Sequence, residues 1–556
     1  MTSAGLRPRA ARHTHPADLA AAHAVFGCLV REVAAPAGEA TVAGDQVRVR
    51  LPATGMALRC AVTRLSPVGA HRYHGPVRAR PDGGRWAEVD ADQLAVLVAA
   101  ELAVRTGRNN SEFVGQVRAS REVTAQLLAG QPDTDPTPTG DPAVDAYVAS
   151  EQSLVLGHPH HPAPKWRSGD PDGWRAYAPE LRAAFRLHWL AVPDDLVAES
   201  GPVEELLAAL DPPRPPVGHR ALPVHPWQLT LMPPAHPAVR RLGLAGAPVR
   251  PTASVRTLYS PDADLFVKTS LHVRITNCLR KNARYELTGA VALTGLLADV
   301  PLPDGVALLA EPAYRTVDLP GADEAYGTIL RTGLRAHLRP GDTPVLAAAL
   351  AAAPLPVSDP VDWWRRYVAL LAPAVLRAWL RHGVVHEPHL QNVVVVRDPD
   401  GRPARMLLRD LEGVKLDTSR WTDWPQGLPR QVGYGPKDAR RRVVYCLFVN
   451  HLAGICGALA DARPGIEPAL WREVREVVAT VAAELDDPPE LRALLAGEPL
   501  VAKANLLPPR RLPNRRRPTA SGGSARPRCC ASCSSSSACC TGRSGRWSPI
   551  RACRPG

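Results

Sequence analysis

The chain has 556 residues, 45% hydrophobic and 22% charged, with a formal net charge of +13, a length that allows two to four domains and a large buried core. From Arg510 to Gly556 there are eleven Arg and no acidic residue, so residues 1–509 carry only +2. The overall basicity is therefore no argument for nucleic-acid binding. Six of the eleven Cys lie in the same tail. Cys28, Cys60, Cys278, Cys446 and Cys456 are scattered without metal-ligand spacing, which suits a reducing cytoplasm. The basic stretch 1–12 is followed by no apolar signal core, and no run approaches the ~18 apolar residues of a spanning helix. A cytoplasmic protein bound to neither membrane nor nucleic acid is expected.

Residues 18–33 and 93–104 have helical apolar spacing, and 46–51 and 58–65 alternate as strands. Residues 111–128 predict an amphipathic helix with Ser111 at its N-cap and Glu112 in its first turn. This first unit shows no catalytic constellation. Residues 130–142 are a linker by composition. The segment 157–169 then holds three Pro, which favour a stiff extended loop carrying His158, His160, His161 and Lys165. Zinc is one reading, but no Cys or carboxylate lies close by to complete a tetrahedron. A loop presenting His and Lys to an anionic substrate fits better. In His225-Pro-Trp-Gln228 the His fixes a loop and Trp227 is core.

The stretch 266–282 opens as a strand and packs Lys268, Thr269, Ser270, His272, Arg274, Thr276, Arg280 and Lys281 together without an acidic residue. Unpaired cations make poor core, so the stretch predicts a cleft for a phosphate or carboxylate. Ser254, Arg256 and Thr257 add hydroxyls and a further cation just upstream. Residues 285–298 read as a helix. Residues 320–360 are Ala/Pro-rich and uninformative.

Residues 361–382 form a strongly amphipathic helix, which Pro373 kinks and Gly383 stops. A polar loop with Glu387, His389, Gln391 and Asn392 follows, then two short strands and Asp410. An antiparallel pairing brings Asn392 and Asp410 to one end of the hairpin. There they suit Mg²⁺ bridging nucleotide phosphates, with Glu387 a third candidate. Residues 437–461 and 468–485 are further helices. Beyond residue 509 the chain is Arg, Ser, Pro, Gly and Cys, which predicts disorder and suggests an out-of-frame translation.

The ordered set of motifs 158–165, 225–228, 254–257, 268–280, 386–392 and 409–410 resembles that of the IucA/IucC-type siderophore synthetases, the NRPS-independent (NIS) synthetases of the aerobactin-synthetase kind. The resemblance covers residues 150–415 well and 416–509 loosely. It implies an α+β fold shaped as a cupped hand: a thumb over 1–148, fingers over 149–355, a palm over 356–509 and a disordered tail over 510–556. It further implies that ATP and Mg²⁺ are used to adenylate a carboxylate of citrate or a related dicarboxylate. An amine, hydroxylamine or alcohol, such as a polyamine, amino acid or amino alcohol, then displaces AMP. By that resemblance Ser254, Arg256, Thr257, Lys268, Arg280, His389, Gln391, Asn392 and Asp410 hold ATP, and Glu387, Asn392 and Asp410 the metal. His158, His161, Lys165, Thr276, Arg280 and Lys503 lie on the carboxylate side. Lys268, Arg280, His158 and His161 are the catalytic candidates, the general base being a His of the 158–161 loop or His389. A homodimer is expected. Two rivals stand beside this reading. An aminoglycoside-kinase-like phosphotransferase would need an Asp just after His382-Gly383, where the chain has Val384 and Val385. A non-catalytic ferric-citrate or siderophore binder would need no Asn392/Asp410 pair.

Overall fold

The alternation in Gln46–Leu51 and Met56–Arg64 turns Val47, Val49, Leu51, Leu58 and Cys60 to one face. These strands belong to a five-stranded antiparallel sheet. That face packs into one core with helices Pro16–Leu29, Ala91–Thr106 and Phe113–Ala129. The third helix starts later than its sequence suggests: Glu112, not Ser111, is at the N-cap, and no side chain caps it. The computed structural model describes residues 15–132, 138–169, 173–276, 278–319, 322–506 and 545–546. The tail expected to be disordered lies outside these, except that Gly545–Arg546 pairs with Val501–Ala502.

Where the linker was expected to run through residue 142, Asp141 caps a helix, Pro142–Gln152, whose first position is the Pro. An eight-stranded sheet follows, with Leu265–Thr269 between Thr257–Ser260 and Thr328–Thr332. The uninformative 320–360 stretch therefore supplies a central partner of the Lys268 strand. It also supplies Thr343–Leu346, which pairs with Val393–Arg397 in a second, four-stranded sheet. That sheet holds the expected hairpin of Val393–Arg397 and Pro403–Leu408, and takes Val306–Leu308 as a parallel edge.

Helix Pro360–His382 buries Trp364, Tyr367, Val368, Leu371, Val375 and Trp379 against the C-terminal helices, Glu467–Glu484 among them. It ends at Gly383, left-handed at φ 65°. Residues 436–462 form one continuous helix with a π-helical middle, Val444–Leu452. Among the described residues this helix alone is long and apolar enough to cross a membrane, and 89% of its apolar window is buried inside the protein. Arg64 of the first sheet pairs with Asp461 at 2.6 Å and Glu467 at 2.7 Å, and Ser66 donates to Glu467 at 2.6 Å. These bonds fasten the N-terminal unit to the C-terminal helices.

Candidate active site

The strand Leu265–Thr269 is buried at all five positions, Lys268 included. A buried ammonium is tolerable only when paired. Lys268 Nζ contacts Asp410 and lies 2.7 Å from Glu412. The pairing thus joins the eight-stranded sheet to the turn that follows the hairpin. Burial alone would lower the Lys268 pKa; Asp410 and Glu412 outweigh it and raise it. Burial alone would raise Asp410, yet Lys268 and Arg331 hold it well below the carboxylate range, and Lys268 and Arg256 lower Glu412 against its burial.

Arg256 is fixed from two sides. It donates to the Glu412 carboxylate at 3.0 Å, to the Lys281 carbonyl at 3.2 Å and to Asn282 Oδ1. Asn282, fully buried, donates onward to the carbonyls of Lys268 at 3.0 Å and Gly327 at 2.8 Å. Ser254 Oγ accepts the Thr257 N–H at 3.1 Å, which closes a tight loop around Val255. Three residues of the site have left-handed backbone: Val255 at φ 68°, Thr276 at φ 56° and Asp410 at φ 75°. For β-branched Val and Thr this is strained, and such strain persists where surrounding contacts enforce it. Arg280 is half-buried; burial and then Arg256 lower its pKa, and its pKa also registers Glu412 and Asp410.

On the hairpin side, Val393 faces Leu408 and the Arg409 N–H donates to the Asn392 carbonyl at 3.1 Å. Asn392 and Asp410 therefore flank the same end of the hairpin, as the sequence implies. Arg409 holds this corner by pairing with buried Glu151 and donating to the Gln391 carbonyl at 2.7 Å. Glu151 in turn accepts the Ala253 N–H at 3.0 Å, so helix Pro142–Gln152 links the 252–257 loop to the hairpin.

A second group sits alongside. Asn450, in the π-helical stretch, contacts His158 Nε2 through its amide nitrogen at 3.0 Å and accepts the Leu390 N–H at 3.0 Å. One side chain thus joins the 158 loop to the 386–392 loop. π-helical turns are often found at functional sites. Packing of the loops around it, then His161, His389 and Lys503, lowers the pKa of His158, whose side chain still reaches solvent. Burial also lowers His389, whose pKa registers Glu387, Asp410 and Lys503 as well. His158, His161, His389 and Lys503 therefore share one neighbourhood. The Thr276 N–H donates to Trp166 at 3.2 Å, which ties the carboxylate-side strand to the same loop.

Two expected placements need correction. Lys165 does not face a substrate: it is buried, paired with Glu180, because the loop folds inward rather than standing in solvent. The Glu387 carboxylate is paired with Arg442 and pressed against Gly413, where a Cβ would collide with it. It is therefore a brace under the Asp410 turn, not a spare metal ligand. Among the described residues no group of three or more His, Cys, Asp or Glu could by itself hold a metal ion. Sequence reasoning passed over Glu412, Arg331, Glu311 and Asn450. Glu311 accepts from Arg331 at 2.9 Å and from the Leu411 N–H at 3.2 Å, and Arg331 reaches Asp410 at 3.4 Å. The Leu-Glu after Asp410 was the one visible signal.

Residues 146–352 match the IucA / IucC family model, and residues 361–520 match that of the ferric iron reductase FhuF-like transporter. The chain is 29% identical over 554 residues to the rhizobactin siderophore biosynthesis protein RhbC of Rhizobium meliloti, covering 89% of this chain and 94% of that one. It is 28% identical over 476 residues to the L-2,3-diaminopropanoate–citrate ligase of Staphylococcus aureus, covering 75% and 79%. The fold matches ATP-bound aerobactin synthetase IucA of Klebsiella pneumoniae with TM-score 0.74 at 22% identity, over 87% of this chain and 96% of that one. It matches the petrobactin biosynthesis protein AsbB of Bacillus anthracis with TM-score 0.69 at 18% identity, over 88% and 91%.

Proposed function

From the premise that the chain belongs to the IucA/IucC family of siderophore synthetases, we propose that it joins a carboxylate of citrate, or of a related dicarboxylate, to an amine, hydroxylamine or alcohol. The carboxylate oxygen attacks the α-phosphorus of ATP and pyrophosphate leaves. The nucleophile then adds to the acyl carbon, AMP leaves, and one proton is lost from the nucleophile. The observation that carries this reading is the Lys268 ion pair with Asp410 and Glu412, which sets the cationic strand and the hairpin end in one site.

A carboxylate approaching a triphosphate brings anion to anion. Lys268, Arg256 and Arg280 are placed to neutralise the charge that builds up on the α-phosphate. The hydroxyl-lined loop of Ser254 and Thr257 packs beside them, and His389, Gln391, Asn392 and Asp410 close the nucleotide side. His158, His161, Thr276, Arg280 and Lys503 are assigned to the carboxylate. Mg²⁺ fits as an ion carried in on the phosphates, since it keeps several waters and needs only one or two protein oxygens. Asp410 and the Asn392 amide oxygen would hold it, and it would supply charge neutralisation on the phosphates. A hydroxylamine-trapping screen of carboxylates with ATP tests the reading. Citrate hydroxamate with equimolar AMP and pyrophosphate is expected. ADP would establish a kinase instead, and ligand binding without nucleotide turnover would establish a binding protein.

A further inference from the structure

The N-terminal unit has no place in the chemistry so far, yet it holds one end of the site. Helix Pro16–Leu29 passes into a π-helical turn, Val30–Ala34, that buries Arg31 and Glu32 together. In an α-helix successive side chains diverge by 100°; here both charged groups are taken inside. Glu32 directs one oxygen at residues nearly 475 positions away: its Oε2 accepts the Asn505 N–H at 2.6 Å and the Leu506 N–H at 2.8 Å. Leu506 is itself buried in the core of the N-terminal unit. Asn505 Nδ2 donates to the His160 carbonyl at 2.7 Å, in the middle of the 158–161 loop. Two residues before Asn505 is Lys503, which influences the pKa values of His158, His389 and Tyr445.

We infer that Glu32 is a positioning residue for the carboxylate-substrate side: it clamps the 505–506 backbone so that Lys503 and the His158 loop are held at fixed spacing. This rests on the synthetase reading above. Two backbone N–H groups on one buried side-chain oxygen anchor the segment. The anchor lies on the far side of Lys503 from the C-terminal helices, so the segment is held at both ends. The nucleotide contacts at Lys268, Arg256 and Asp410 take nothing from it. The clamp should therefore affect citrate and leave ATP alone.

The test uses the full chain and citrate as probe, with hydroxamate formation as activity and amide hydrogen exchange of residues 501–506 as a readout independent of it. Glu32→Ala and Asn505→Ala should each raise the KM for citrate about tenfold while the KM for ATP stays within about twofold. Exchange over 501–506 should quicken in Glu32→Ala. Glu32→Gln, whose amide oxygen still accepts both N–H groups, should keep a citrate KM close to the parent's. An unchanged citrate KM in Glu32→Ala, or equal rises in both KM values, overturns the inference. Should Glu32→Ala not fold, Asn505→Ala decides by the same criterion. A parent chain inert toward citrate would defeat the functional reading instead; unchanged exchange in Glu32→Ala would then still overturn the clamp, and faster exchange would support it.

Discussion

Lys268→Met removes the ammonium at the centre of the site and keeps its alkyl stem, so it tests charge without opening a cavity. Two consequences follow from the geometry. First, Asp410 and Glu412 lose their closest cation. Breaking a buried pair costs about 3–5 kcal/mol. Here Arg331 at 3.4 Å from Asp410 and Arg256 at 3.0 Å from Glu412 remain, which puts the cost at the lower end, about 3 kcal/mol. Second, this loss depends on pH. Lys268 and Arg331 hold Asp410 below the usual range, and Lys268 and Arg256 hold Glu412 there. Such depressed carboxylates stabilise the fold above about pH 4 and give up that contribution as the pH falls through their folded values. The raised Lys268 pKa contributes stability that is fully present below the ordinary lysine value of about 10 and is lost only above it, so it adds no slope in the acid range. The stability gap between parent and variant should therefore be fully open above about pH 4 and narrow as the pH falls below it. Thermal unfolding at a series of pH values measures it. Hydroxamate formation should fall ~100- to 1,000-fold at neutral pH, the loss expected on removing a preorganised charge from a transition state. Parent-like turnover, or a stability gap that does not move with pH, refutes the reasoning.

Three further variants separate the roles assigned above, and a fourth tests a buried carboxyl beside the site. Asp410→Asn should raise the Mg²⁺ concentration needed for half-maximal AMP release at least about tenfold, whereas Glu387→Gln, braced by Arg442, should leave it within about twofold. Asn450→Ala should lower kcat/KM about tenfold while circular dichroism shows unchanged helix content, because it severs the bond between two loops and takes no apolar side chain from the core. Glu286 sits at about 7, raised by burial and then by Glu412. A carboxyl so raised destabilises the fold once the pH exceeds its unfolded value near 4.3, and the penalty is complete above pH 7. Glu286→Gln, which still accepts the Ala283 N–H, should therefore gain thermal stability over the parent at pH 8 and not at pH 4.

The hairpin, the helix that precedes it and the Lys268 strand were legible because each depends on local pattern. Short continuous apolar, β-favouring runs set Val393–Arg397 and Leu265–Thr269, and the glycine after His382 set the helix end. What was not legible depends on distant partners. Lys268 and Lys165 both read as cations awaiting a ligand, but their acids arrive from residues 142 and 15 positions away. The same residue type is central to the site in one case and structural in the other. Arg331 was hidden because its strand lies in an Ala/Pro-rich stretch with no polar cluster to mark it. The π-helical register of Val444–Leu452 was invisible because apolar spacing in a 27-residue helix hardly changes when one turn widens. Asn450 nonetheless lies in that π-helical stretch.

These distant acids also change how the site must work. Basic residues 266–282 alone describe a cleft charged and waiting for an anion. The folded site is already close to neutral, with Lys268, Arg256 and Arg331 each held by Asp410, Glu412 or Glu311. Without those acids three cations would be buried together, at a cost no marginally stable fold could absorb. With them the cations are fixed in position before any nucleotide arrives, which is the condition under which fixed charge is most effective in a transition state. A triphosphate then has to compete with carboxylates for the same cations. Removing Glu412 alone as Glu412→Gln should accordingly tighten ATP binding, since Arg256 and Lys268 lose a competitor, while it lowers turnover because the same two side chains lose their alignment. Calorimetric ATP affinity and single-turnover rates on one preparation would show the two moving in opposite senses. Weaker ATP binding in that variant would mean that Glu412 serves the nucleotide itself and not the cations.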